Sequence, residues 1–152
     1  MSGKGFTLIE LMIVIGIIGI LSSISMYGWL GYQNNVNLRT AAGEVMSDIA
    51  SSKQRAVSGS CAYSIQFTNG SPNYTINAPT CIPPQAQAKD LTNFGSGLAI
   101  RSANFGIFGQ ILRFNQRGTI SVGKVILTNS KGSTATITTT LTGRANVSFT
   151  MQ

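Results

Sequence analysis

From Phe6 to about Leu30 the chain is an almost unbroken run of apolar residues, with Glu10 its only charge and no proline within it. About twenty such residues reach across a bilayer as a helix, which satisfies its own backbone polar groups. A carboxylate near the start of such a helix costs about 2.5–3.5 kcal/mol on insertion scales and needs a partner or a task. From Gly31 the pattern becomes mixed. Leu38, Ala42, Val45, Ile49 and Ala56 fall at helical intervals on one face, with Arg39, Glu44, Asp48, Lys53 and Arg55 opposite. This predicts an amphipathic continuation over 31–58, stopped at Ser58-Gly59, where glycine ends helices. The two halves together make one helix of about fifty residues, roughly 75 Å long at 1.5 Å per residue.

Beyond Gly59 the period changes to two. Residues 62–67 and 73–77 flank Thr68-Asn69-Gly70-Ser71-Pro72 and predict a hairpin. Residues 81–88 read as a loop, because Pro83 and Pro84 exclude both helix and central strand. Further strands are predicted over 98–101, 111–115, 119–122, 124–128, 134–141 and 145–151. In the last, Ala145, Val147, Phe149 and Met151 alternate with Asn146, Ser148 and Thr150, so one face should pack and the other meet water. The fold class is therefore α+β: a long N-terminal helix packed on an antiparallel β-rich head over 59–152.

With 152 residues there is room for one such head and one anchor. Charges are sparse while Gly, Ser, Thr and Asn abound, which suits an exported β-rich head better than a cytosolic enzyme. The net charge is +7, and its distribution says more than its size. No acidic residue follows Asp90, whereas Arg101, Arg113, Arg117, Lys124, Lys131 and Arg144 do. Such a surface favours anionic partners, although the same charges also serve as a solvated face. The chain has no histidine, so Ser-His-Asp and Cys-His arrangements are excluded. The glycines at 95–97 and 106–109 come without a Walker lysine and imply no phosphate loop. No enzymatic activity and no cofactor is expected. Cys61 and Cys81 are too few for a four-ligand metal site; in an exported head they read as a disulfide worth roughly 3 kcal/mol.

No small-x-small cleavage site follows the apolar run, so it does not read as an ordinary cleavable signal. Its left flank is more specific. Met1-Ser2-Gly3-Lys4-Gly5 is a short basic leader ending in glycine, followed at once by Phe6-Thr7-Leu8-Ile9-Glu10. This resembles the class III leader of type IV pilins and type II secretion pseudopilins. The resemblance implies the type IV pilin fold, with 1–5 a cleaved leader, 6–30 a transmembrane and filament-core helix and 31–58 its amphipathic continuation. It also implies that a prepilin peptidase cuts between Gly5 and Phe6 and that the Phe6 amine is then methylated. Glu10 lies about 6 Å along the helix axis from that nitrogen. In a staggered bundle the Phe6 ammonium of one subunit can meet the Glu10 carboxylate of its neighbour, and such a pair sets register. The implied partners are other pilin or pseudopilin subunits, the inner membrane, the prepilin peptidase and the inner-membrane assembly platform. The implied location is the inner membrane, single-pass with the head in the periplasm, and then a filament.

Phe114-Asn115-Gln116-Arg117-Gly118-Thr119, Lys124-Val125-Ile126-Leu127-Thr128 and Thr142-Gly143-Arg144-Ala145-Asn146-Val147 resemble the ending of the H-type minor pseudopilins and FimT-like minor pilins. Residues 59–110 carry no such resemblance. Some FimT-like proteins bind DNA through a Gly-Arg-x-Arg tip; here Asn146 stands in place of the second arginine. Two readings of Arg144 stand side by side. It contacts DNA or another anion, supported by Arg113, Arg117, Lys124 and Lys131, or it simply follows a two-residue Thr142-Gly143 turn. The expected function is accordingly a minor pilin or pseudopilin, with a DNA-binding minor pilin at the tip of a DNA-uptake pilus as the alternative. A major pilin is favoured less, because the C-terminal pattern is of the minor type.

Overall fold

The computed structural model describes residues 6–152, apart from the side chains of residues 24–28 and 30. Lys4 and Gly5, on which the expected leader and cleavage site fall, lie outside the described residues. One helix, α1, runs Leu8–Ser58 over 51 residues. It begins where Thr7 can cap it, and the Gly59 N–H closes it on the Arg55 carbonyl at 2.8 Å. The chain forms two compact units, one ending at Gln33 and one from Asn34 to Gln152.

In the first unit the described apolar side chains, Leu8 to Leu21, are all exposed. The serines that follow satisfy their own hydroxyls: Ser22 Oγ donates to the Ile18 carbonyl at 2.7 Å and Ser23 Oγ to the Gly19 carbonyl at 2.9 Å. Among the described residues no helix is long and apolar enough to cross a membrane. The described apolar side chains stop short of the ~20 that a span needs, and the sequence carries the run on through positions outside the description. Near its polar end Trp29 and Tyr32 lie with ring centroids 6.4 Å apart.

In the second unit the rest of α1 contributes Leu38, Ala41, Ala42, Val45, Ile49 and Ala56 to a core shared with eight strands. These are β1 (Tyr63–Phe67), β2 (Asn73–Ala78), β3 (Gln85–Asp90), β4 (Ala99–Asn104), β5 (Ile111–Phe114), β6 (Gly123–Thr128), β7 (Thr134–Thr139) and β8 (Ala145–Thr150). They form two antiparallel four-stranded sheets, ordered β3-β2-β1-β5 and β4-β6-β7-β8. Phe67 sits at the centre of the core, 5.7 Å from the Tyr74 ring and 5.8 Å from Phe105.

Several expected boundaries are corrected. The loop expected over 81–88 ends at Pro84, and Gln85–Asp90 pairs with β2 as an edge strand. The prolines bar only the residues they occupy, and an edge needs hydrogen bonds on one side alone. Residues 119–122 form no strand: Ile120 makes a single bridge to Phe114. The strand expected over 98–101 runs on to Asn104 after a shift in register between Ile100 and Ser102. β7 stops at Thr139, because Leu141, Thr142 and Gly143 form a three-residue loop with Gly143 at φ 79°. β8 does not divide cleanly into a packed and a wet face: Val147 and Phe149 stay more than a third exposed.

Cys61 and Cys81 are joined, with Cα atoms 5.3 Å apart, closing the β1–β2 hairpin at a sequence separation of 20. Reduction should cost roughly 3 kcal/mol, the loop-closure entropy released to the unfolded chain. Alkylation of the native protein without reductant should label neither thiol, and after reduction proteolysis should first open the 61–81 segment rather than α1.

Candidate functional site

The start of α1 is built by a local reciprocal contact. The Glu10 N–H donates to Thr7 Oγ1 at 3.3 Å, and the Glu10 carboxylate faces the Thr7 hydroxyl at 3.4 Å and the Thr7 N–H at 3.5 Å. This is a loose capping box, in which Thr7 and Glu10 satisfy donors that a helix start leaves unpaired. The signal was present in Thr7-Leu8-Ile9-Glu10, but sequence reasoning assigned the acid only to a neighbouring subunit. The carboxylate keeps unused acceptor positions and is exposed, as is Phe6.

One acid of α1's second half, Asp48, behaves differently from expectation. The helical pattern puts Asp48 on the polar face, yet it is 8% exposed. Tyr74 on β2 donates its hydroxyl to Asp48 Oδ2 at 2.6 Å. Lys89 on β3 reaches Glu44 at 2.8 Å and Asp48 at 3.5 Å. Burial, then the Asp48 acceptor, pushes the Tyr74 phenol well above the usual tyrosine range. The hydrogen bond to Glu44 raises Lys89. This cluster ties α1 to sheet β3-β2-β1-β5 and has no free group positioned for chemistry.

The basic residues expected to act together are spread over the head, and all five are exposed. Arg113, on β5, lies 5.0 Å from the centroid of Phe108. Arg117 sits in the turn closed by the Gly118 N–H and the Asn115 carbonyl. Lys131 occupies the β6–β7 turn and Arg144 the β7–β8 turn, at opposite ends of β7 and so roughly 20 Å apart along the strand. The segment just past Arg117 comes near the terminal hairpin, the Ile120 N–H donating to the Leu141 carbonyl at 3.3 Å, and so does Lys124. It and Asn146 flank Thr138 in register, two strand spacings or about 10 Å apart. Lys53, which the sequence placed only on the helix's polar face, meets the hairpin from α1: its Nζ donates to the Thr142 and Gly143 carbonyls at 3.1 and 3.3 Å. The only ion pairs among the described residues belong to Lys89.

With Lys53 tied to the hairpin carbonyls and the uncharged Asn146 following Arg144, the full chain in detergent should bind duplex DNA no tighter than about 10⁻⁴ M, with a log–log salt slope near −2, as two neutralised phosphates give. Replacing Asn146 by Arg should steepen that slope by about one. A micromolar affinity in a filter-binding titration, abolished by Arg144→Ala, would contradict this.

Residues 1–26 match the family model described as the prokaryotic N-terminal methylation motif. No protein of curated function matches the sequence. Among solved structures the fold is similar to that of the minor pseudopilin EpsH from the Type 2 Secretion System of Vibrio cholerae. The TM-score is 0.61 at 10% identity, covering 74% of this chain and 96% of that one. Residues 1–26 thus carry a methylation motif that leads into a long helix, and the chain's fold is similar to that of a minor pseudopilin.

Proposed function

We propose that the protein is a minor pseudopilin, a structural subunit that enters a type II secretion pseudopilus, or a related type IV pilus, through its N-terminal helix. The observation that carries this is the methylation motif at the head of a 51-residue helix, with Phe6 and Glu10 in register inside it. The similarity of the head to a minor pseudopilin supports it. In this reading residues 1–5 are removed by a prepilin peptidase, 6–30 anchor the subunit in the inner membrane and line the filament core, 31–58 join the anchor to the head, and 59–152 project from it. Trp29 and Tyr32 fall where the apolar run ends, the position at which aromatic side chains settle at a membrane–water boundary. The assembly platform would extract the subunit, and neighbouring pilins or pseudopilins would receive its helix.

Processing tests the reading directly. The mature protein should begin at Phe6 and carry one added methyl group by intact mass, and Gly5→Arg should leave the leader attached. An exported form starting near Ser22 or Ser25 would overturn it. Mass spectrometry of sheared filaments should find the protein at low copy number; an abundance equal to that of the shaft subunit would make it a major pilin instead.

A further inference from the structure

The two sheets have four outer edges, and three carry features that oppose further pairing. β5 is covered by its own chain: the Ser121 N–H donates to the Arg113 carbonyl at 3.1 Å, and the Arg113 N–H to Ser121 Oγ at 3.3 Å. β3 starts directly behind Pro83-Pro84 and carries Lys89 and Asp90. β4 bears exposed Arg101 at the shift in register between Ile100 and Ser102. Prolines, charges and irregularities of this kind are how sheet proteins prevent unwanted strand addition. β8, Ala-Asn-Val-Ser-Phe-Thr, has none of them, and its register with β7 is regular along all six residues.

The phase of this edge follows from the hairpin. The Thr140 N–H donates to the Arg144 carbonyl at 2.9 Å. In an antiparallel ladder, Asn146, Ser148 and Thr150 then exchange hydrogen bonds with β7, while Ala145, Val147 and Phe149 turn their N–H and C=O groups outward. The side chains of Val147 and Phe149 lie opposite buried Ile137 and Ala135, yet they remain 36% and 38% exposed. A further strand would cover the remainder. The edge is held in place past its end, where the Gln152 N–H donates to Ser133 Oγ at 2.9 Å and its carbonyl accepts from Asn35 Nδ2 at 3.5 Å.

Charge selects the occupant. Arg144 stands at the start of the strand, the Arg39 guanidinium lies 5.4 Å from the Phe149 ring centroid, and no acid follows Asp90. A second copy would bring one basic head against another, whereas an acidic chain meets a complementary field. We propose that the free edge of β8 accepts an extended acidic segment of a partner protein as a fifth strand of the β4-β6-β7-β8 sheet, with Val147 and Phe149 supplying the apolar contact. The inference goes beyond the pilin reading and does not depend on it.

The probe is a dye-labelled, end-blocked nonapeptide of alternating Val and Thr with two Asp at each end, titrated into the full-length protein in detergent and followed by anisotropy. Affinity of the order of 10–100 μM is expected for so short a strand. Val147→Pro removes an outward N–H without breaking the β7 ladder and should weaken binding at least tenfold. Val147→Lys, a charge on the face to be covered, should do the same with the hairpin intact. A peptide with Lys in place of Asp should bind at least tenfold more weakly. The proposal is overturned by the absence of binding at millimolar peptide, by equal binding to both variants, or by equal binding of the lysine peptide. Self-association of the wild type that Val147→Lys abolishes would make a second copy the occupant and overturn it as well.

Discussion

Glu10→Ala should give a protein that folds, inserts in the membrane and still reaches filaments about 100-fold less often than wild type, as loss of a desolvated charge partner worth about 3 kcal/mol implies. Two contributions are removed at once. The local one is the carboxylate half of the capping box, the long 3.4 and 3.5 Å contacts with the Thr7 hydroxyl and N–H, whereas the bond from the Glu10 backbone N–H to Thr7 survives the substitution. The other belongs to the proposed filament subunit: in that reading the carboxylate pairs with the Phe6 ammonium of a neighbouring subunit, and only in the assembled bundle. Glu10→Gln separates them, because glutamine serves equally well at the third position of a capping box but carries no charge. We expect Glu10→Gln to assemble as poorly as Glu10→Ala, with membrane insertion undiminished in both, since loss of an acid makes insertion easier. Quantifying the variants in sheared filaments against the membrane pool decides it. Normal assembly of Glu10→Gln would assign Glu10 to capping alone.

What could be read from the chain follows the range of each interaction. The end of α1 was legible because Ala56 closes a helical periodicity and Gly59 stops it within three residues. β1, β2, β5, β6 and β7 were legible in outline because each is a short run rich in β-branched, aromatic or other apolar residues between turn residues. β3 was not, because Gln85-Ala86-Gln87-Ala88 has no large apolar residue to mark a face, and an edge strand needs only β2 beside it. The candidate site shows the same division. Thr7 and Glu10 are three residues apart, so their contact could have been written down from the sequence. Arg144, Lys124 and Lys131 could be singled out as charges but not assembled, since which of them meet depends on the order β4-β6-β7-β8 and on which end of β7 each turn occupies. Asp48 looked solvent-facing because its partner Tyr74 lies 26 residues away on another element.

That same Asp48 carries the largest expected effect on the stability of the head. Asp48→Ala leaves the buried Tyr74 hydroxyl without its acceptor and takes from Lys89 its second carboxylate, at a cost of about 3 kcal/mol. Tyr74→Phe removes only the donor, leaves Asp48 facing Lys89, and should cost about 1–2 kcal/mol. Because both changes break one hydrogen bond, the double variant should fall short of their sum by about 1 kcal/mol. The same contacts give the head an alkaline limit. Tyr74 and Lys89 both have folded-state pKa values raised above those of the unfolded chain. Each therefore contributes stability that is fully present below its unfolded value near pH 10 and is lost as pH climbs from there toward the folded one. Tm, followed by near-UV circular dichroism on the full chain in detergent, should change little on this account between pH 7 and 9 and then fall steeply above about pH 10. In Tyr74→Phe the fall should be shallower, because only Lys89 still titrates in the cluster. Strict additivity in the double variant, or an equally steep alkaline fall in Tyr74→Phe, would mean that Asp48 and Tyr74 do not act as the unit that fastens α1 to the sheet.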